Sequence, residues 1–189
     1  IDLLYGRQLS VAVLAEDSIA KSILSFSKSY LFEDPYVLAV PKNISLENIK
    51  NLDDLKKSKE SAVLNNIIQF EFGNQHKKRI EEWFTSVLPD SRVFAKTRTY
   101  EVALSMVQSG RGVAIVPALA ARLGGKKIDF DVNLYKTNLP QRKIISLIPS
   151  QYVRIEPYKS FIDSLVATGK NMQLPKANPV PPILESLSI

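Results

Sequence analysis

Thr99 to Leu119 reads TYEVALSMVQSGRGVAIVPAL, and this stretch sets the fold class. Val102, Ala103, Met106 and Val107 recur at helical spacing, so they predict one apolar helix face. Thr99 stands where an N-cap belongs, with a hydroxyl that can accept from a free backbone N–H. Gly110 stands at the C′ position, where a left-handed backbone carries no Cβ penalty. Gly112 gives the turn a second flexible joint. Val113, Ala114, Ile115 and Val116 then form a short β-branched run, the pattern of a strand buried on both faces. Pro117 stops the strand and opens a further turn or helix. On pattern alone this is one α/β unit of a Rossmann-like domain.

The order MVQSGRGVAIVP also resembles the signature of the effector-binding domain of LysR-type transcriptional regulators. There a helix ends in a Val-x-x-Gly-x-Gly turn, runs into an apolar strand and closes with proline. The matching residues are Val107, Gly110, Gly112, Val113 to Val116, and Pro117. Arg111 departs from the Leu or Glu more usual in the family, at an exposed turn position. The resemblance extends over residues 1–7 and 31–168 and is most specific over 31–41 and 102–117. It implies an α/β fold of two Rossmann-like lobes joined by two crossing strands, as in periplasmic binding proteins of type 2. It also implies a non-enzymatic, cytoplasmic bacterial regulator that works as a homo-oligomer. Such a protein holds a small effector in the cleft between its lobes and contacts DNA through a helix-turn-helix domain that this chain lacks.

Composition bounds the reading. The 189 residues are 45% hydrophobic and 23% charged, an ordinary globular balance. No apolar run is long enough to cross a bilayer, and no secretory signal opens the chain. The start on Ile1 in place of Met points to a fragment. With no cysteine, thiol catalysis, disulfides and cysteine metal sites are excluded. A net charge of +6 favours anionic partners, namely small organic acids or, weakly, nucleic acid. The basic residues are dispersed, as at Lys56-Lys57, His76 to Arg79 and Lys126-Lys127, and no aromatic-interleaved stripe marks a nucleic-acid platform.

Along the chain, Ile1 to Arg7 reads as a buried strand ending in a glycine turn, resembling the family strand that ends at the mouth of the effector cleft. The β-α-β piece that precedes this strand in the family is not seen, so the first lobe is expected to be incomplete. Leu9 to Leu14 reads as a strand. Asp17 or Ser18 then caps a helix carrying Ile19, Ile23 and Phe26. Tyr36 to Pro41 and Lys143 to Ile148 are buried strands, taken as the two crossings. Ser45 to Ser58 predicts a turn and a short helix, Ser61 to Leu64 a strand, and Ile67 to Phe72 a loop. Gln75 to Leu88 is an amphipathic helix with Ile80, Trp83, Phe84, Val87 and Leu88 inward. Arg92 to Ala95 is a strand, and a short helix follows Pro117 and runs to Leu123. Pro157 opens a helix at its N1 position, with Tyr158, Phe161, Ile162, Leu165 and Val166 inward and Gly169 at its end. The alternation of strands with helices predicts parallel sheets. Lobe one then comprises 1–40 and 147–170, lobe two 41–146, and residues 171–189 an extended or disordered proline-rich tail.

Catalytic constellations are missing. His76 is the sole histidine, in a polar lysine-rich helix start, and supports neither a zinc site nor a triad. Gly110-Arg111-Gly112 follows a helix and precedes a strand, the reverse of a dinucleotide fingerprint. No cofactor or metal is predicted. What remains is binding outside the carboxyl ends of strands, where helix N-termini offer free N–H groups. Lys96, Thr97, Arg98, Thr99 and Tyr100 follow one such strand, and Asn65 and Asn66 follow another. Hydroxyls, N–H groups and cations together suit a carboxylate. From the resemblance, Gly6 and Arg7 approach the same cleft from the first lobe. The competing reading is that Thr97 and Thr99 only cap a helix. Two other classes stay open: a transport-associated solute-binding protein of the same fold, and an enzyme on that fold.

Overall fold

Strands buried on both faces organise the larger part of the molecule. In this computed structural model, residues 2–19, 25–71, 74–123 and 128–185 are described. In chain order the elements are α1 (Asp2–Tyr5), β1 (Ala12–Ala15), β2 (Phe26–Asp34), β3 (Tyr36–Pro41), α2 (Leu52–Lys57), α3 (Ser61–Leu64), β4 (Asn66–Phe70), α4 (Asn74–Val87) and β5 (Arg92–Thr97). There follow α5 (Tyr100–Gln108), β6 (Ala114–Pro117), β7 (Arg122–Leu123), β8 (Ile128–Asp129), β9 (Val132–Lys136), β10 (Arg142–Pro149), α6 (Tyr158–Lys170) and α7 (Pro182–Glu185). They fall into two compact units. Unit 1 is Ile1–Asp34 with Gln141–Gln173, and unit 2 is Pro35–Pro140 with Leu174–Ile189. The divisions thus lie at 34/35 and 140/141, not the expected 40/41 and 146/147, so β3 lies wholly in unit 2 and β10 wholly in unit 1.

In unit 2, β3 pairs antiparallel with β6 on one side and β9 on the other. β4 and β5 pair in parallel, and a parallel bridge from Ile67 to Val113 joins β4 to the start of the β6 strand. Alternation then divides the side chains. Tyr36, Leu38, Val40 and Ile115 join Ile80, Trp83, Phe84 and Val87 of α4 in one core. Val37, Ala39, Ala114 and Val116 join Ala103, Leu104 and Val107 of α5 in another. A strand buried on both faces reads as an unbroken apolar run. Such a run reports burial and not direction, so the expectation of wholly parallel sheets gives way to a mixed arrangement.

α5 ends as its sequence requires. Gly110 has φ +71, its N–H donates to the Val107 carbonyl at 2.9 Å, and the Arg111 N–H donates to the Met106 carbonyl at 3.1 Å. These are the two bonds of a Schellman cap. Gly112 is no flexible joint: a Cβ there would lie 2.3 Å from the Asn66 carbonyl oxygen, so its role is close approach to β4. Val102 is exposed and Leu104 takes the inward place expected of it.

Several further expectations are corrected. Ser61 to Leu64 is the helix α3, and the run read as a loop after it is the strand β4. Phe72 lies outside the described residues. Asp2 to Tyr5 is a helical turn with only Leu4 buried, where a strand was expected. Residues 16–18 form one short turn of 3-10 helix, Ile19 is extended and Phe26 begins β2, so the predicted amphipathic helix does not form across them; Ile23 lies outside the described residues. Residues 174–185 of the tail pack into unit 2. Asn178 bridges the edge of β9 at Tyr135, the Ile183 N–H donates to the Ile49 carbonyl at 3.1 Å, and Ile183 and Leu184 are buried in the α4-side core. Its prolines prevent a long regular element without preventing packing. The short helix after Pro117 is a 3-10 turn, Ala118–Ala121, followed by β7.

Unit 1 is the antiparallel sheet β1-β10-β2, with Leu4, Ile145 and Leu147 as a small core. α6 packs along β2, and Gly169 lies inside this helix against the Leu31 backbone. At one end of the sheet Arg142 and Asp34 are cross-strand partners, and the Arg142 guanidinium donates to the fully buried Asp34 carboxylate at 2.5 Å.

Candidate functional site

The parallel pair β4/β5 has two unlike ends. Its register sets Asn66 opposite Arg92 and Phe70 opposite Thr97. Four steps along a strand span about 13 Å. Asn65 and Asn66 therefore stand at the amino end, and Lys96 to Tyr100 at the carboxyl end. The two groups are not brought together, because α3 took the place of the expected strand and moved β4 along the chain. Asn66 is used structurally there: its Nδ2 donates to the Arg111 carbonyl at 3.4 Å, and Arg92 Nε donates to its Oδ1 at 3.2 Å. Asn65 Nδ2 donates to Ser61 Oγ at 3.3 Å.

At the carboxyl end the chain turns from β5 into α5 through Arg98 and Thr99. Thr97 is only 7% exposed, and its hydroxyl donates to the Thr99 carbonyl at 3.2 Å, so it shapes the turn and faces inward. Thr99 is the N-cap of α5, and its Oγ1 accepts from the Val102 N–H at 3.3 Å. The Ala103 N–H reaches the Thr99 carbonyl at 3.3 Å. The Glu101 N–H, at N2, has no protein acceptor among the described residues. β4 contributes from beside this turn. The Glu71 N–H donates to the Thr97 carbonyl at 2.8 Å, prolonging the ladder. The rings of Phe70 and Tyr100 stack with centroids 4.0 Å apart. Lys96 Nζ stands 3.4 Å from Glu71 Oε1, both half-exposed. Gln69, buried, donates to Glu81 Oε1 at 2.7 Å. Arg98 is exposed and has no ion pair among the described residues.

The arrangement is a helix N-terminus flanked by Lys96 and Arg98, with one free N–H and an aromatic wall. The partial positive charge of the helix start and its free N–H favour an anionic group there. Glu71 and Glu101 set the limit: a ligand must compete with one for Lys96 and tolerate the other in the first turn of the helix. Sequence reasoning missed Phe70 and Glu71, because the run containing them was read as a loop. The signal that could have found them was Ile67-Ile68, a β-branched pair suited to a buried strand.

Gly6 and Arg7 belong to unit 1. Arg7 lines a cavity with Phe26 and Pro149. These two are partners at the end of β2 and β10 farthest from Asp34 and Arg142. Eight strand steps, about 25 Å, separate the two ends. Arg7 therefore stands at the end of the unit 1 sheet opposite Asp34 and Arg142. Among the described residues no group of three or more His, Cys, Asp and Glu could hold a metal ion, and no helix is long and apolar enough to cross a membrane.

Comparison with known proteins gives a consistent result. A family model described as the LysR substrate binding domain matches residues 1–169. No curated protein matches the sequence. Among solved structures, the CcmR regulatory domain of Synechocystis PCC6803 in complex with 2-PG is similar at TM-score 0.62 and 15% identity, over 95% of this chain and 79% of that one. The effector-binding domain of QuiR in complex with shikimate is similar at TM-score 0.59 and 16% identity, over 92% and 78%. HinK, a LysR family transcriptional regulator from Pseudomonas aeruginosa, is similar at TM-score 0.63 and 12% identity, over 91% of this chain and 57% of that one.

Proposed function

The chain belongs to the LysR substrate binding domain family, and from that premise we propose that its effector is a small anion held at the carboxyl ends of β4 and β5. The chain is the effector-binding domain of a LysR-type transcriptional regulator, a ligand-binding and not an enzymatic module. The family match favours this over a transport-associated solute-binding protein. The observation that carries the site is the start of α5: Lys96 and Arg98 flank a capped helix N-terminus whose Glu101 N–H has no acceptor among the described residues. Lys96, Arg98 and the Glu101 N–H bind the charged group, and Tyr100, stacked on Phe70, walls its body. Thr97 and Thr99 hold the turn. The net charge of +6 draws anions to the surface. Shikimate, in complex with QuiR, is a carboxylate of the kind this site would suit.

The rest of the proposal concerns the whole regulator. Effector binding biases the relation between the two units, and a helix-turn-helix domain outside this chain carries the result to DNA. The regulator acts in the cytoplasm as a homo-oligomer.

A thermal-shift screen of aliphatic and aromatic carboxylates, amino acids and sugar phosphates tests the reading, because a bound ligand raises apparent stability by mass action. An anion is expected to raise the melting temperature, and its neutral amide analogue to have little effect. By calorimetry, Arg98→Ala and Lys96→Ala each weaken that anion by about 1–3 kcal/mol, the range for hydrogen bonds to charged groups. A ligand whose affinity is untouched by both substitutions would place the effector elsewhere.

A further inference from the structure

The cavity at the Phe26 and Pro149 end of the unit 1 sheet has a volume of about 160 Å³ and is lined wholly by residues of that unit. Its floor is apolar, made by Leu4, Phe26 and Pro149. Around the floor stand Arg7, Ser25, Gln151 and Tyr152. Arg7, Ser25 and Gln151 are exposed and Tyr152 is half-buried, and none of the four has an ion-pair or side-chain hydrogen-bond partner among the described residues, so their donors are open to a ligand from solvent. The Tyr152 ring is held by stacking on Tyr158, centroids 5.0 Å apart. Tyr5 packs edge-on against Phe26 at 4.9 Å.

Arg7 is the unusual member. Its φ is +56, the one positive value at a non-glycine residue among those described. A left-handed backbone is unfavourable for a residue with a Cβ. The neighbouring Gly6, which would accept it freely, has no positive φ. Arg7 is the C′ residue of α1: its N–H donates to the Leu4 carbonyl at 3.1 Å and the Gln8 N–H to the Leu3 carbonyl at 2.9 Å, so the left-handed backbone closes the helix and sets the side chain at the cavity wall.

A purely apolar void of this size would stay dry and suit only an apolar ligand. An apolar floor with a few unpaired polar groups and one guanidinium is the make-up of a ligand site. The geometry points to a second ligand site in unit 1, which takes a small organic monoanion with an apolar body. The anionic head pairs with the Arg7 guanidinium and the donors of Ser25, Gln151 and Tyr152. The apolar body lies on Leu4, Phe26 and Pro149. No residue of this site belongs to unit 2.

The test is an NMR titration of the whole chain with phenylacetate, followed at backbone amides, with phenylacetamide as its uncharged partner. Phenylacetate is expected to shift the amides of Arg7, Ser25, Gln151 and Tyr152 saturably. Phenylacetamide should bind about tenfold more weakly or worse, the loss of one charge-assisted contact. Arg7→Gly removes the guanidinium and relaxes the backbone, so it folds, melts no lower than the parent and loses the saturable shifts. Lys96→Ala leaves those shifts in place. Saturable shifts that persist in Arg7→Gly overturn the site, as does an absence of saturation in the parent. Shifts confined to residues 96–101 overturn it too, while leaving the proposal for α5 standing.

Discussion

Gly110 and Gly112 stand two residues apart and are glycines for different reasons. Gly110 has a left-handed backbone and open space where a Cβ would go. Gly110→Ala therefore carries a backbone cost alone, about 1 kcal/mol. Gly112 has no positive φ, but a Cβ there would overlap the Asn66 carbonyl. Gly112→Ala must push β4 away, and overpacking of this kind costs about 1–3 kcal/mol. Urea melts of the two variants should rank Gly112→Ala as the more damaging. The reverse order would show that the close approach to Asn66 is easily relieved. A third position belongs at this scale. Asp34 is fully buried and takes its ion pair from Arg142. Arg142→Ala strips that guanidinium from a buried carboxylate, which costs about 3–5 kcal/mol. The same melts read it, and a loss below about 1 kcal/mol, the range of an exposed pair, would mean the pair is solvated in solution.

Among the elements, those with long periodic patterns were legible. The stripe of α4 from Ile80 to Leu88 is buried throughout, and β3 is buried at every residue. The turn after α5 forms with the cap at Thr99 and the left-handed Gly110 that the sequence demands. Short apolar runs were not legible in the same way. Four residues such as SAVL or DLLY cannot distinguish a strand from one turn of helix, because the 3.6-residue helical period barely completes once and neither run alternates. That ambiguity at Ser61 to Leu64 shifted β4 and placed Asn65 and Asn66 at the wrong end of the sheet. The candidate site was thus half legible: the start of α5 was readable from Thr99, whereas the β4 side depended on a boundary that local pattern does not fix. α6 makes a further prediction at this scale. Its N-cap, Pro157, offers no side-chain cap. Glu156 substitutes, accepting from the Ser160 hydroxyl at 2.6 Å and the Ser160 N–H at 3.2 Å. The Ser160 hydroxyl first, then its N–H, hold the Glu156 carboxyl below its ordinary value of 4.5. A carboxyl whose folded value is depressed contributes stability above its unfolded value and loses it as pH falls through the folded one. The first turn of α6 should therefore lose protection of the Ser160 amide as pH drops below that ordinary value. Glu156→Gln should remove that step, and an unchanged pH profile in the variant would assign it to another group.

At the scale of the whole molecule, the chain passes between the two units three times, at 34/35, 140/141 and 173/174. The last passage returns residues 174–185 to unit 2, where Ile183 and Leu184 complete the core beneath α4. Each unit has its own core, so each is expected to have its own melting behaviour. Trp83 is the sole tryptophan and is buried in the unit 2 core with Leu184. Its fluorescence therefore reports that unit alone, whereas far-ultraviolet circular dichroism reports both. Leu184 is 1% exposed. Truncating a buried leucine to alanine removes its transfer energy and leaves a cavity, together about 2–5 kcal/mol. Leu184→Ala is thus expected to move the Trp83 transition to lower denaturant by that amount. The part of the dichroism change that does not follow Trp83 should keep its midpoint. A tail that merely rests on the surface would leave both transitions where they are. A single transition shared by both probes and shifted as one would show that the units unfold together, with the returning segment acting as the tie between them.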